Sequence, residues 1–118
     1  MSHYRDLIVW KKSMDLVSDI YKHTRSFPRE ETYGLISQLR GAAVSVPSNI
    51  AEGQGRRSRR EFVHFLRTAR GSLMEMETQL LICCRLGYLD EANGRVLLCS
   101  CDEISRLLQG LIASQESK

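Results

Sequence analysis

The chain is poor in the residues that interrupt helices. It has two prolines, Pro28 and Pro47, in 118 residues, with 42% hydrophobic and 26% charged positions. That composition excludes a disordered or low-complexity chain and describes a globular one. Long apolar runs are also lacking. The opening MSHYRDLIVWKKS breaks its short apolar stretch with charges, so it reads as neither a secretory leader nor a membrane span. A cytoplasmic location with no membrane partner is therefore expected. No segment alternates apolar and polar residues as a half-buried strand does, which excludes a β fold. Net charge is only +3, so any strong electrostatic partner must be met locally.

The four cysteines do not form a metal-ligand or disulfide pattern. They occur as Cys83-Cys84 and Cys99-x-Cys101. On a helix, adjacent side chains point about 100° apart and those two apart about 200°, so neither pair aims both sulfurs at one ion. Reduced cysteines acting as small core residues are expected. At this length one domain is the default.

Four helical periods follow in order. Leu7, Trp10, Met14, Val17, Tyr21 and Thr24 recur at three and four residues, flanked by Val9, Leu16 and Ile20. Asp6 is the expected N-cap and Phe27-Pro28 the stop. Glu30 and Glu31 then favour a new N-terminus, and Leu35, Leu39, Ala42, Val46 and Ile50 form the next apolar face. Beside it runs a stripe of Gly34, Gln38, Gly41, Ser45, Ser48 and Glu52, suited either to close approach of another helix or subunit or to a solvated face. Pro47 falls inside this period. A kinked but continuous helix is expected, with Ser48 and Asn49 meeting freed backbone groups and Gly53 and Gly55 ending it.

Ser58-Arg-Arg-Glu61 reads as a capping box opening a long third helix with core residues Phe62, Leu66, Ala69, Leu73, Met76, Leu80, Cys83 and Gly87. Gly87 closes it and Asp90 caps a fourth, whose inner face is Leu97, Cys101, Ile104, Leu108 and Leu111. The tail SQESK has nothing left to bury and is expected to fray. Helices at about 7–26, 29–53, 59–87 and 91–113, joined by short turns, predict an all-α, antiparallel up-down-up-down four-helix bundle in a single domain.

These residues carry a resemblance. Phe27-Pro28, Glu31, Tyr33-Gly34-Leu35, Gln38, the block SVPSNIAEGQGR from Ser45 to Arg56, Glu61-Phe62, Ala69, Gly71-Ser72-Leu73 and Leu86-Gly87-Tyr88 resemble a family of four-helix-bundle proteins. That family is best known for proteins encoded within intervening sequences of bacterial 23S rRNA genes. It is similar, more distantly, to the accessory protein of diversity-generating retroelements, a basic pentameric barrel that engages a reverse transcriptase and nucleic acid. The resemblance implies a homo-oligomer, with a pentamer as the model, and no enzymatic activity. Encoding inside a ribosomal RNA gene suggests RNA association without establishing it.

The candidate binding residues are cationic. Residues 56 to 70 hold six arginines against one glutamate, and Arg56, Arg57, Arg59 and Arg60 crowd the start of the third helix, where the macrodipole disfavours cations. A phosphate there, held by free N–H groups and arginine forks, would offset that cost, and His64 and Arg67 extend the same face. RNA or DNA backbone is one partner this fits. About six phosphate contacts would weaken binding roughly a thousandfold between about 50 and 200 mM salt. The alternatives are solvated arginines, Arg56 pairing with Glu52, or an acidic surface on a protein partner or neighbouring subunit. No aromatic is seen to interleave with the arginines, so base stacking is not expected. Pro47, Ser48, Asn49, Glu52 and Gly53 form a structural motif at the bend rather than a binding site. One Glu61-x-x-His64 motif pointing away from the core does not make a di-iron site, and no nucleophile and base pair is apparent, so no metal, cofactor or catalytic residue is expected. Trp10, Met14, Met74 and Met76 read as core or interface packing.

Overall fold

A computed structural model describes residues 3–118; Met1 and Ser2, the first two residues of the opening segment, lie outside the described residues. Four helices form the body: α1 (Ile8–Thr24), α2 (Ser37–Gly55), α3 (Arg59–Arg85) and α4 (Glu91–Glu116). Each packs against the next and α4 returns against α1, giving an elongated bundle of 46 × 23 × 20 Å. The most extensive contact is between α2 and α3. Among the described residues no helix is long and apolar enough to cross a membrane.

α1 begins one turn differently from expectation. Asp6 belongs to a short 3-10 turn, Tyr4–Asp6, where its carboxylate accepts from the His3 N–H; Leu7 occupies the N-cap of α1 without a side-chain bond. The buried stripe is also rotated. Val9, Ser13, Leu16, Ile20 and Thr24 face the core, whereas Met14 and Tyr21 are exposed and Trp10 is half-buried. Thr24 and the flanking Val9, Leu16 and Ile20 are among the expected positions, and only Ser13, a hydroxyl residue that hydrophobicity scores against the core, is not. Ser13 Oγ donates to Val9 O at 2.6 Å and Thr24 Oγ1 to Ile20 O at 2.7 Å, which satisfies each hydroxyl within its own helix.

Entry into α2 takes two turns that the residue pattern does not resolve. A 3-10 turn, Arg29–Glu31, is followed by a wide π-type turn, Thr32–Ile36, and Gly34 departs from helical angles. Glu31 holds this corner: its carboxylate accepts from the Leu35 N–H at 3.2 Å and from the Tyr88 hydroxyl at 2.9 Å. It thus ties the α1–α2 connection to the α3–α4 connection at one end of the bundle.

α2 runs unbroken through Pro47, as expected. Ser48 Oγ donates to Val44 O at 2.8 Å, and Asn49 Nδ2 donates to Ser45 O at 2.8 Å and to Ser45 Oγ at 2.9 Å. These bonds saturate the two carbonyls after the one proline cannot serve. Ser45 Oγ also lies 2.8 Å from Ser72 Oγ on α3, so the small-residue stripe is partly used within the chain.

Gly53 does not act as a stop. It is buried against α3, where an added Cβ would fall 2.6 Å from Phe65 Cβ. The residue that turns the chain is Arg57, with φ of 58°. α3 then starts at Ser58, whose Oγ accepts from the Glu61 N–H. At the far end Gly87 has φ of 80° and donates to Cys84 O, while Tyr88 donates to Cys83 O. That left-handed closure ends α3 at Arg85, with Gly87 in the turn rather than in the core stripe. Asp90 caps α4 through the Asn93 N–H at 2.7 Å. The expected fraying of the tail is not observed, since α4 continues helically to Glu116.

Arg40 is a brace the sequence reading missed. Its guanidinium donates to Thr24 Oγ1 at 2.9 Å and to Tyr21 O at 3.3 Å, and lies 4.4 Å from the Tyr21 ring centroid. It therefore caps the end of α1 from α2. Arg40→Ala is expected to lower unfolding free energy by about 1–2 kcal/mol in urea denaturation; no measurable loss would refute the brace.

The cysteines divide by environment. Cys83 and Cys101 are buried, Cys84 is half-buried and Cys99 exposed. Burial pushes the Cys101 thiol up to about 12, aided by the charge of Glu77, and the Cys83 thiol up to about 11, aided by Cys84 and Glu31. The thiolate is the reactive form, so a thiol reagent at neutral pH should label Cys99 first and leave Cys83 and Cys101 unlabelled until the protein unfolds. The shift has a sign for stability as well. The fold favours the neutral thiols, so their contribution is complete below the ordinary value of 9.0 and declines as pH rises toward 11–12.

Candidate nucleic-acid interface

The two ends of the bundle differ. One carries the Glu31–Tyr88 corner; the other brings the α2–α3 turn against the Tyr4–Asp6 end of the chain and the last turn of α4. The arginine run lies at this second end. Two adjoining shallow grooves receive it. Arg57, Ser58, Arg59 and Phe62 line the first with His3, Gly53, Gln54, Gln115 and Lys118. Arg59, Arg60, Val63, His64 and Arg67 line the second, closed by Gln115, Glu116 and Lys118. Five of the six expected residues thus meet on one rim.

The sixth, Arg56, is engaged within the chain. Its guanidinium donates to Glu52 at 2.9 Å, approaches Glu61 at 3.8 Å and covers the Phe65 ring at 5.2 Å from the centroid. The alternative pairing with Glu52 is the one observed. Phe65 is also the aromatic overlooked among the arginines, and Arg56 occupies its face. Glu61, expected to complete a capping box, turns toward Arg56.

The remaining cations fall into two pairs. Arg59 Nη1 donates to the Lys118 backbone oxygen at 2.8 Å, and Arg67 Nη2 to Glu116 Oε2 at 2.6 Å. Arg57 and Arg60 are exposed and have no acidic partner among the described residues. The backbone N–H groups of Arg59 and Arg60 occupy the first two positions of α3, where a helix has no internal acceptor to offer. The first turns of α1 and α2 hold no acidic residue, that of α4 holds Glu91 and that of α3 holds Glu61, so α3 is not alone in lacking a favourable charge pattern at its start.

Among the bend residues, Ser48 and Asn49 bond the carbonyls of Val44 and Ser45, not that of Ala43, which Pro47 cannot serve; Glu52 accepts from Arg56, and Pro47 and Gly53 are buried. His64 and Glu61 are exposed. Among the described residues no group of three or more His, Cys, Asp or Glu is placed to hold a metal ion. A further groove between α3 and α4 is lined by Cys84, Gly94, Leu98 and Cys99, and two of the three arginines at its edge are paired, Arg95 with Glu91 and Arg106 with Asp102.

Comparison with known proteins agrees with this architecture. The family described as "23S rRNA-intervening sequence protein" matches residues 5–110. The chain belongs to this family. A crystal structure of a protein of unknown function from the S23 ribosomal protein family of Bacteroides thetaiotaomicron superposes with a TM-score of 0.83 at 22% identity, covering 90% of this chain and 96% of that one. At that identity the likeness concerns the fold. No curated protein matches the chain. For a 23S rRNA-intervening sequence protein the arginine rim is thus a feature to be read from its own geometry.

Proposed function

We propose that the chain is a non-enzymatic, cytoplasmic homo-oligomer that binds the backbone of RNA or DNA through the rim formed by Arg57, Arg59, Arg60 and Arg67. The observation that carries this reading is the exposed, acid-free pair Arg57 and Arg60 beside the open N-terminus of α3. Guanidinium forks and helix N–H groups both suit phosphate oxygens. His64 sits in the same groove, and Arg56 contributes little because two carboxylates already hold it. With Phe65 covered, binding is directed at the backbone and indifferent to sequence. Recovery of the protein from its native cell with sequencing of what it carries tests this: mixed nucleic acid at low salt is the expected result, and none would overturn it.

Oligomerisation is supported by two apolar surfaces. A groove between α1 and α2 is lined by Trp10, Met14, Val17, Val44 and Pro47. On the outer face of α3, diagonal from α1, Met74, Leu81 and Ile82 are exposed. Two different patches on opposite sides suit a head-to-tail contact, which closes into a ring when the rotation allows. The pentamer of the distantly similar retroelement protein is the size we propose.

These patches also favour a second reading, an interaction scaffold whose arginines meet an acidic partner or a neighbouring subunit. Light scattering separates the two. If Arg57→Glu and Arg60→Glu variants keep the wild-type mass, the arginines are not subunit contacts.

A further inference from the structure

We propose that the last turn of α4 is an internal competitor for the arginine rim, displaced when a nucleic-acid backbone binds. The inference rests on the proposed function of that rim and concerns its regulation. Two of the four arginines assigned to phosphate already hold oxygen from this turn: Arg67 pairs with Glu116 Oε2 at 2.6 Å, and Arg59 with the Lys118 backbone oxygen at 2.8 Å. Both acceptors line the groove that Arg60 and His64 share. A phosphate oxygen that took the same Nη2 donor of Arg67 would have to displace the Glu116 carboxylate from it.

The turn is suited to release. Glu116 and Lys118 are exposed, and nothing from 113 to 118 is buried. Ser117 N–H is held by Ala113 O and its hydroxyl by Ser114 O, contacts local to the turn itself. An exposed terminal turn with few buried contacts opens at little cost. Arg57 and Arg60, without acidic partners, are where an incoming backbone would make its first contact; exchange of Glu116 for phosphate on Arg67 would follow. Affinity in this scheme is set by the difference between the two anions and not by the phosphate contact alone.

The test is a double-mutant cycle on the full chain, with a short fluorescein-labelled oligouridine read by anisotropy at low salt. Glu116→Gln keeps the shape of the side chain and removes its charge, and should tighten binding about two- to fivefold, as expected for loss of one exposed ion pair. In an Arg67→Gln background the same substitution should have little effect, because its competitor role is gone. Equal tightening in both backgrounds would mean that Glu116 acts as a general surface charge, and would overturn the inference. Unchanged affinity on Glu116→Gln overturns it while leaving the proposed binding intact. Absence of binding by wild type and variant overturns both. Hydrogen exchange gives a second readout: the Ser117 amide should exchange faster when the wild type is saturated with oligouridine, and unchanged or slower exchange counts against displacement.

Discussion

If the proposed rim binds an oligonucleotide, binding is expected to weaken roughly fifty- to a hundred-and-fiftyfold when salt rises from about 50 to 200 mM, and Arg57→Glu with Arg60→Glu should reduce it below detection. The first number follows from counterion release by about four phosphate contacts per chain, the lower figure for single strands and the higher for duplex. The six candidate residues, five arginines and His64, suggest about six contacts and roughly a thousandfold fall. Two of those are withdrawn: Arg56 is held by Glu52 and Glu61, and His64 lacks the guanidinium fork that suits a phosphate. The charge reversals remove half of the remaining set and add repulsion beside the other half. Salt titration by anisotropy checks the slope, and salt-insensitive binding would show that the contacts are not phosphates.

The second large effect concerns Gly53. Gly53→Ala should lower unfolding free energy by about 1–3 kcal/mol although alanine is the better helix former, and Gly53→Val by more. The added Cβ meets Phe65 Cβ at 2.6 Å and Phe62 Cδ1 at 3.2 Å. Phe65 Cβ is fixed to the backbone of α3, so relief requires the two most closely packed helices to separate. Gly55→Ala is the matched control. Nothing lies within 4 Å of its Cβ position, and it should be stabilising by about 0.5–1 kcal/mol. Urea denaturation of the pair would give opposite signs, and equal effects would refute the close approach at Gly53.

Much of the bundle was legible because long amphipathic helices announce themselves. The core stripe of α3 from Phe62 to Cys83 and the caps at Ser58, Gly87 and Asp90 are all found where the residues place them. Failures occurred where a side chain acts on something distant in sequence. Ser13, a residue that hydrophobicity scales score against burial, faces the core because the Val9 carbonyl one turn earlier satisfies its hydroxyl. Glu31 was read for its charge near a helix start, whereas its partners are Leu35 and Tyr88. The tail was read as free because it has no apolar residue to bury, yet Arg59 and Arg67 engage it from α3. The crowding of arginines was visible in the sequence; which of them remain without an acid partner was not, because that depends on pairings across the bundle end.

Arg57 adopts a backbone conformation, φ of 58°, in which glycine carries no penalty and arginine pays about 1–2 kcal/mol. Arg57→Gly should therefore produce a protein that melts higher and binds polyanions less well. A position where the more stable residue is the less useful one is a stability–activity trade-off confined to a single side chain.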